Sequence, residues 1–215
     1  MPDNSMSFLA NFFSIVFHPL LMVTYLCVII LFGIEGSMFY MFTPLKLKLI
    51  IIAIVFAFTF LMPVLNLMIL LKLNYVSSIK IHNRKERTFP LIASSLCYFG
   101  LFYMLYDFTI WPTLKLIVLG GAVSIFIAAI INYWWQISAH MIGIGGLMGV
   151  LIALCVFMQL PILLLISISI LVAGFVGFAR LFLKAHSPKQ VYIGFSVGVI
   201  VQLGLFYLAH QIQIV

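Results

Sequence analysis

The sequence predicts an all-α, polytopic transmembrane helix bundle of about six or seven spans. Three observations predict it: 66% of the 215 residues are hydrophobic, only 7% are charged, and the mean hydropathy is +1.31. A water-soluble domain carries roughly 25% charged residues. This chain lacks the polar surface to face water, so lipid must be its main solvent. A span takes about 20 apolar residues, and no soluble segment or low-complexity tract interrupts the pattern. Residues 1–215 therefore read as a single integral membrane domain. Met1 to Asn11 carries neither a basic n-region nor a small-residue cleavage site, so no cleavable signal is expected.

The apolar runs set the elements in order. The first covers 15–33, with His18-Pro19 near its start and an aromatic stretch from Phe8 to Phe17 before it that suits the interface. The second covers 47–71, and Pro63 within it predicts a kink. Runs at 89–106 and 114–131 follow, separated by a turn containing Asp107 and Pro112. A fifth run covers 141–159, Pro161 parts it from a sixth at 162–179, and a seventh covers 191–209. Close spacing of Gly145 with Gly149, Gly174 with Gly177 and Gly194 with Gly198 favours tight helix packing in lipid. The same pattern would suit a homodimer. Cys27, Cys97 and Cys155 each lie in an apolar run and read as packing residues.

Polar chemistry is concentrated in three stretches, 74–88, 132–140 and 180–190. Two spans separate each from the next, so all three are expected at one end of the bundle. Each has a structural explanation when taken alone: basic loops set topology, and Arg or Lys at span ends snorkel to the headgroups. Together they bring Lys80 and Arg87, Ser138 and His140, and Arg180 and His186 to one end. Arginine forks match phosphate oxygens, helix-start amides favour an anion, and histidine can attack phosphorus or donate a proton near neutral pH. The formal charge of +7 also suits anionic headgroups, while no soluble basic face exists to hold nucleic acid. The four acids Asp3, Glu35, Glu86 and Asp107 are too scattered for a two-metal site. Outside the constellation, His82 reads as a solvated loop residue, His18 and His210 as interfacial, and Tyr133, Trp134 and Trp135 as headgroup-level anchors.

In this ordered set the chain resembles the type 2 phosphatidic acid phosphatases, relatives of the vanadium haloperoxidases. The family pattern is K-x6-R-P, then P-S-G-H, then S-R-x5-H-x3-D. Lys80 and Arg87 have the first spacing, Ser138 and His140 match the second motif, and Arg180 and His186 match the third. The departures are Pro90 instead of a proline after Arg87, Ile137 and Ala139 for Pro and Gly, and Ala179 for Ser. Gln190 stands where the family has the aspartate that orients its nucleophile. The resemblance implies that His186 attacks phosphorus to form a phosphohistidine and that His140 protonates the leaving oxygen. It further implies that Lys80, Arg87, Arg180 and Ser138 hold the phosphoryl oxygens, with Gln190 as the orienting residue and no metal or cofactor. Glutamine can offer its carbonyl oxygen to the ring, but a flipped amide would favour the wrong tautomer.

The implied function is a membrane lipid phosphatase acting on a phosphomonoester or pyrophosphate, of the phosphatidic acid, phosphatidylglycerophosphate or isoprenyl pyrophosphate class. The alternatives are a weak or inactive relative that binds phospholipid, and a small lipid transporter. A transporter should carry charge near mid-span, whereas here the charges sit at span ends. The basic residues of the three stretches outnumber those of the opposite loops (Lys46, Lys48, Lys115), which by the positive-inside rule puts them in the cytoplasm. The resemblance instead implies a site facing outward from a bacterial inner membrane. Cysteines placed at His82, Gln136 and Ser187 should all react with an impermeant maleimide from the same side of the membrane; opposite labelling of any two would refute the convergent site.

Overall fold

The computed structural model describes residues 4–35, 37–78, 81, 83–107 and 112–214. Among them every regular element is helical, and seven segments are long and apolar enough to cross a membrane. The protein is an integral, multi-pass α-helical membrane protein. Its outward faces are apolar, as lipid requires: Leu164, Leu171 and Ile200 are each more than 60% exposed.

The first segment is broken. Helix α1 (Asn4–Val16) stops short of His18, and α2 (Met22–Val28) follows a single 3-10 turn at Pro19–Leu21. Proline cannot continue the hydrogen-bond ladder, and His18 caps the new turn by accepting the Leu20 amide at 3.4 Å. The aromatic stretch expected at the interface is α1 itself, laid along a later helix with Phe13 stacked on Phe175 at 4.9 Å. A π turn at Ile29–Gly33 ends the segment, and the short α3 (Met38–Phe42) leads into the second. There α4 (Leu45–Phe56) passes through a π turn at Ala57–Leu61 into α5 (Met62–Lys72). Pro63 lacks the N–H that an α ladder would use, and the π turn absorbs the missing bond where a kink was expected.

The remaining segments are α6 (Arg84–Leu105), α7 (Pro112–Trp134), α8 (Ala139–Phe157), α9 (Leu163–Phe182) and α10 (Pro188–Gln211). They correct the extent of the polar loops. Asn83 caps α6 through the Lys85 amide at 3.1 Å, so Arg84 to Thr88 form its first turns rather than a loop. Arg180 likewise lies in the last turn of α9, and 188–190 in the first turn of α10. The polar residues at 84–88, 180 and 188–190 thus ride on helix ends. The three ends meet as expected: Asn132 donates to the Arg84 carbonyl at 2.9 Å, the Arg84 guanidinium bonds the Trp134 carbonyl, and a Cβ at Gly194 of α10 would lie 2.8 Å from the Ser138 carbonyl.

Helices α8 and α10 run parallel from that common end and touch backbone to backbone. A Cβ at Gly145 would lie 2.2 Å from the Phe195 carbonyl, and one at Gly198 would lie 2.2 Å from that of Ile142. Gly149 and Gly194 meet the facing backbone almost as closely, at 2.9 and 2.8 Å. Van der Waals fit drives such contacts in lipid, because the tails are as apolar as the side chains. Gly174 takes no part; a Cβ there would meet nothing within 4 Å. Gly145→Ala should therefore destabilise the bundle by about 1–3 kcal/mol, while Gly174→Ala leaves the thermal midpoint in detergent unchanged. Equal midpoints for the two variants would contradict this packing.

Candidate active site

The turn between α9 and α10 presents His186 one residue before the α10 cap. His186 Nδ1 lies 3.2 Å from Gln190 Oε1, and the same oxygen accepts the Ser187 amide at 2.8 Å. This is the reach-back half of a capping box, with glutamine at the third helical position. It removes the ambiguity in the sequence. A backbone N–H can only donate, so the amide must show its oxygen to Ser187; a flipped side chain would set two donors against each other. Gln190 Oε1 can then only accept from His186, which puts the imidazole proton on Nδ1 and leaves the Nε2 lone pair free. A helix cap selects the tautomer that a nucleophile needs.

His140 stands at the start of α8, and its Nε2 lies 3.1 Å from the carbonyl oxygen of Ser14 at the end of α1. A carbonyl accepts only, so Nε2 carries the proton and Nδ1 is the nitrogen left for a substrate. The Ser14 hydroxyl accepts from the Arg180 guanidinium. One residue of the broken first segment therefore orients two residues of the site. His18 stands beside them with its ring 5.6 Å from that of His140, edge to face. His186 is close enough to His140 for their charges to interact.

Arg87 and Arg180 both lie within electrostatic reach of His186. Neither has a charge partner among the described residues, and Arg180 Nε is enclosed without a hydrogen bond. Glu86, one residue from Arg87, is committed elsewhere: it accepts from the Ser77 amide and hydroxyl at 2.7 and 2.8 Å and so ties the preceding loop to α6. Ser138 occupies the residue before α8, but its hydroxyl makes no capping bond and is buried without a partner. Guanidiniums partly withdrawn from water without a counter-charge are unfavourable. The arrangement calls for an anion.

Of the residues singled out in the sequence, the structure brings His140, Arg180, His186, Gln190 and Arg87 together and sets Ser138 at the same helix end. Lys80 and His82 lie outside the described residues. Sequence reasoning missed Ser14 and misread His18 as interfacial. A polar His-Pro step inside an apolar run was a signal for His18, since polar groups within spans are expensive and tend to be functional. Ser14 acts largely through its carbonyl, which no side-chain pattern reveals. Comparison with family models, curated proteins and solved structures gives no match for this chain.

Burial, reinforced by Arg87 and Arg180, lowers the His186 pKa from 6.5 to about 4, against the hydrogen bond it donates to Gln190, which raises it. The ring is thus neutral and nucleophilic down to about pH 4. On acidification from about 6.5 to about 4 the unfolded chain gains a proton at this position that the folded protein refuses, so stability falls across that window. The His186 imidazole nitrogens, followed by NMR in detergent, should titrate near pH 4, and Arg87→Gln should move the midpoint up towards 6.5. A midpoint unmoved by the substitution would separate Arg87 from the site.

Proposed function

We propose that this protein is a metal-independent lipid phosphatase related to the type 2 phosphatidic acid phosphatases. The observation that carries the reading is the His186 tautomer, held with Nε2 free by Gln190 and Ser187 amid two uncompensated guanidiniums. In this reading a phosphate monoester or pyrophosphate end of a membrane lipid docks between Arg87 and Arg180, with Lys80 and Ser138 completing the cradle. His186 Nε2 attacks phosphorus; the N–P bond forms as the bond to the lipid oxygen breaks. The phosphate end enters as its monoanion and leaves its proton on His140 Nδ1, which delivers it to that oxygen while the Nε2–H stays on the Ser14 carbonyl. Water then attacks the phosphohistidine, the N–P bond breaks, and His140 Nδ1 takes the water proton. The products are the lipid alcohol (or lipid monophosphate) and inorganic phosphate. Arginine forks stabilise charge on the equatorial oxygens through both steps. The site faces outward from a bacterial inner membrane, where its cations serve chemistry rather than topology.

Gln190 is neutral where the related family has a carboxylate, which favours a slow enzyme or a phospholipid-binding protein as the second reading. Gln190→Glu separates the two. It keeps the reach to both Ser187 and His186 and adds the charge that stabilises a cationic ring. Hydrogen bonds to charged groups contribute about 1.5–3 kcal/mol against about 0.5–1.5 for neutral ones. The gain of roughly 1–2 kcal/mol corresponds to about 5- to 30-fold in rate. Single-turnover phosphate release from lipid phosphates in mixed micelles should rise by that factor in Gln190→Glu and vanish in His186→Ala, with an acid-labile phosphohistidine trapped in the former. Release that persists in His186→Ala would overturn the mechanism, and no release from any lipid phosphate in either protein would leave a binding role.

A further inference from the structure

A cavity of about 100 Å³ opens inside the bundle between α2, α6, α7, α8 and α10. Its lining includes Pro19 and Ala139, the chain neighbours of His18 and His140, so it adjoins the histidine–arginine cluster. From there it runs inward along α8 as far as Leu147, a depth of about 12 Å at 1.5 Å per helical residue. Most of the wall is apolar, formed by side chains such as Leu20, Leu26, Leu91 and Ile125. Four polar side chains interrupt it: Ser94, which donates to the Pro90 carbonyl at 2.7 Å, Tyr98, Ser124 and Gln202. Gln202 is 2% exposed and Ser124 4%.

Gln202 Nε2 donates to the Ile117 carbonyl at 3.1 Å, an acceptor whose identity is fixed, so the amide cannot flip and Oε1 is the atom left over. Gln202 Oε1 and Ser124 Oγ are both enclosed without a partner. Gly120 makes room for this glutamine: a Cβ there would come within 2.4 Å of its amide. An unsatisfied amide oxygen deep in a transmembrane helix is costly. Mostly apolar walls with a few oriented polar atoms are the ordinary make-up of a small-molecule site. Gln202 packs at the level of Gly149, and Gly146 is its neighbour on the same helix, so its oxygen sits about 10 Å inward of His140.

We propose that this cavity binds the head-proximal carbons of one hydrocarbon chain of a lipid phosphate, and that Gln202 and Ser124 select a chain carrying a hydroxyl at that depth. The inference rests on the phosphate-binding part of the reading above, not on turnover. The phosphate would sit among Arg87, Arg180 and the histidines, the chain would enter past Pro19 and Ala139, and its hydroxyl would donate to Gln202 Oε1. The 3-hydroxyl of an acyl chain esterified to glycerol phosphate has the required reach. A cavity of about 100 Å³ takes only the head-proximal few carbons of one chain and leaves no room for a second, so single-chain lipids are favoured over diacyl ones.

Equilibrium binding to the full chain in detergent tests this with three probes: 1-(3-hydroxymyristoyl)-glycerol 3-phosphate, its 1-myristoyl counterpart and dimyristoyl phosphatidic acid. The hydroxylated probe should bind about 2- to 10-fold more tightly than the plain one, as one neutral hydrogen bond allows, and the diacyl lipid should bind most weakly. Gln202→Leu should erase the hydroxyl preference while keeping affinity for the plain chain, and Ser124→Ala should reduce it. Equal affinity for the two single-chain probes in the parent protein overturns the proposal, as does a preference that survives both substitutions. Tightest binding of the diacyl lipid overturns the single-chain assignment. Phosphate release is scored separately: binding with the expected preference but no release sinks the phosphatase reading alone, and release without any hydroxyl preference sinks this one alone.

Discussion

The close parallel contact of α8 and α10 sets the geometry on which the rest of the polar end depends. Ser138 and His140 open one of these helices; His186 and Gln190 flank the start of the other. Because glycines let the two backbones touch, the helix starts sit side by side, with a Gly194 Cβ position only 2.8 Å from the Ser138 carbonyl. Wider separation by a single side-chain layer would pull the two histidines apart. In lipid this contact has no hydrophobic drive behind it, so it rests on fit alone, and that is why glycine is needed at four facing positions.

Charge is the second constraint. Two guanidiniums and three imidazoles gather at one end of the bundle, and the nearest carboxylate, Glu86, is turned to Ser77. Such a cluster is unfavourable without an anion. The protein limits the cost by keeping His186 neutral and by letting Arg180 share the Ser14 hydroxyl. In the proposed reading a bound phosphate offsets that cost. The same logic applies to the unpartnered Gln202 oxygen deeper in the bundle, where the missing element is a hydrogen-bond donor rather than an anion.

Orientation of the imidazoles shows how little side-chain chemistry the site needs. Backbone groups decide both tautomers: the Ser187 amide through Gln190, and the Ser14 carbonyl directly. A neutral glutamine can therefore do the positional part of an aspartate's task, though it supplies none of the charge. The broken first segment matters for the same reason, since an unbroken helix would bury the Ser14 carbonyl in its own ladder and leave His140 without its acceptor.

Composition and periodicity alone determined the bundle, the seven spans and the gathering of 74–88, 132–140 and 180–190 at one end, because lipid demands long apolar helices and alternation then places the loops. Residue types and spacing also singled out Arg87, His140, Arg180 and His186. Helix ends were less legible: Arg84 to Thr88 read as a loop by polarity, yet the Asn83 cap starts α6 there. Only the tertiary structure decided which way the Gln190 amide faces, which nitrogen of each histidine is free, and that Ser14, 166 residues before Arg180, belongs beside it. The Ser187 amide and the Ser14 carbonyl, both backbone groups, fix the two tautomers, and the Ser14 hydroxyl fixes its place beside Arg180. Every residue carries the same N–H and C=O, so no one-dimensional pattern distinguishes the pair that will meet.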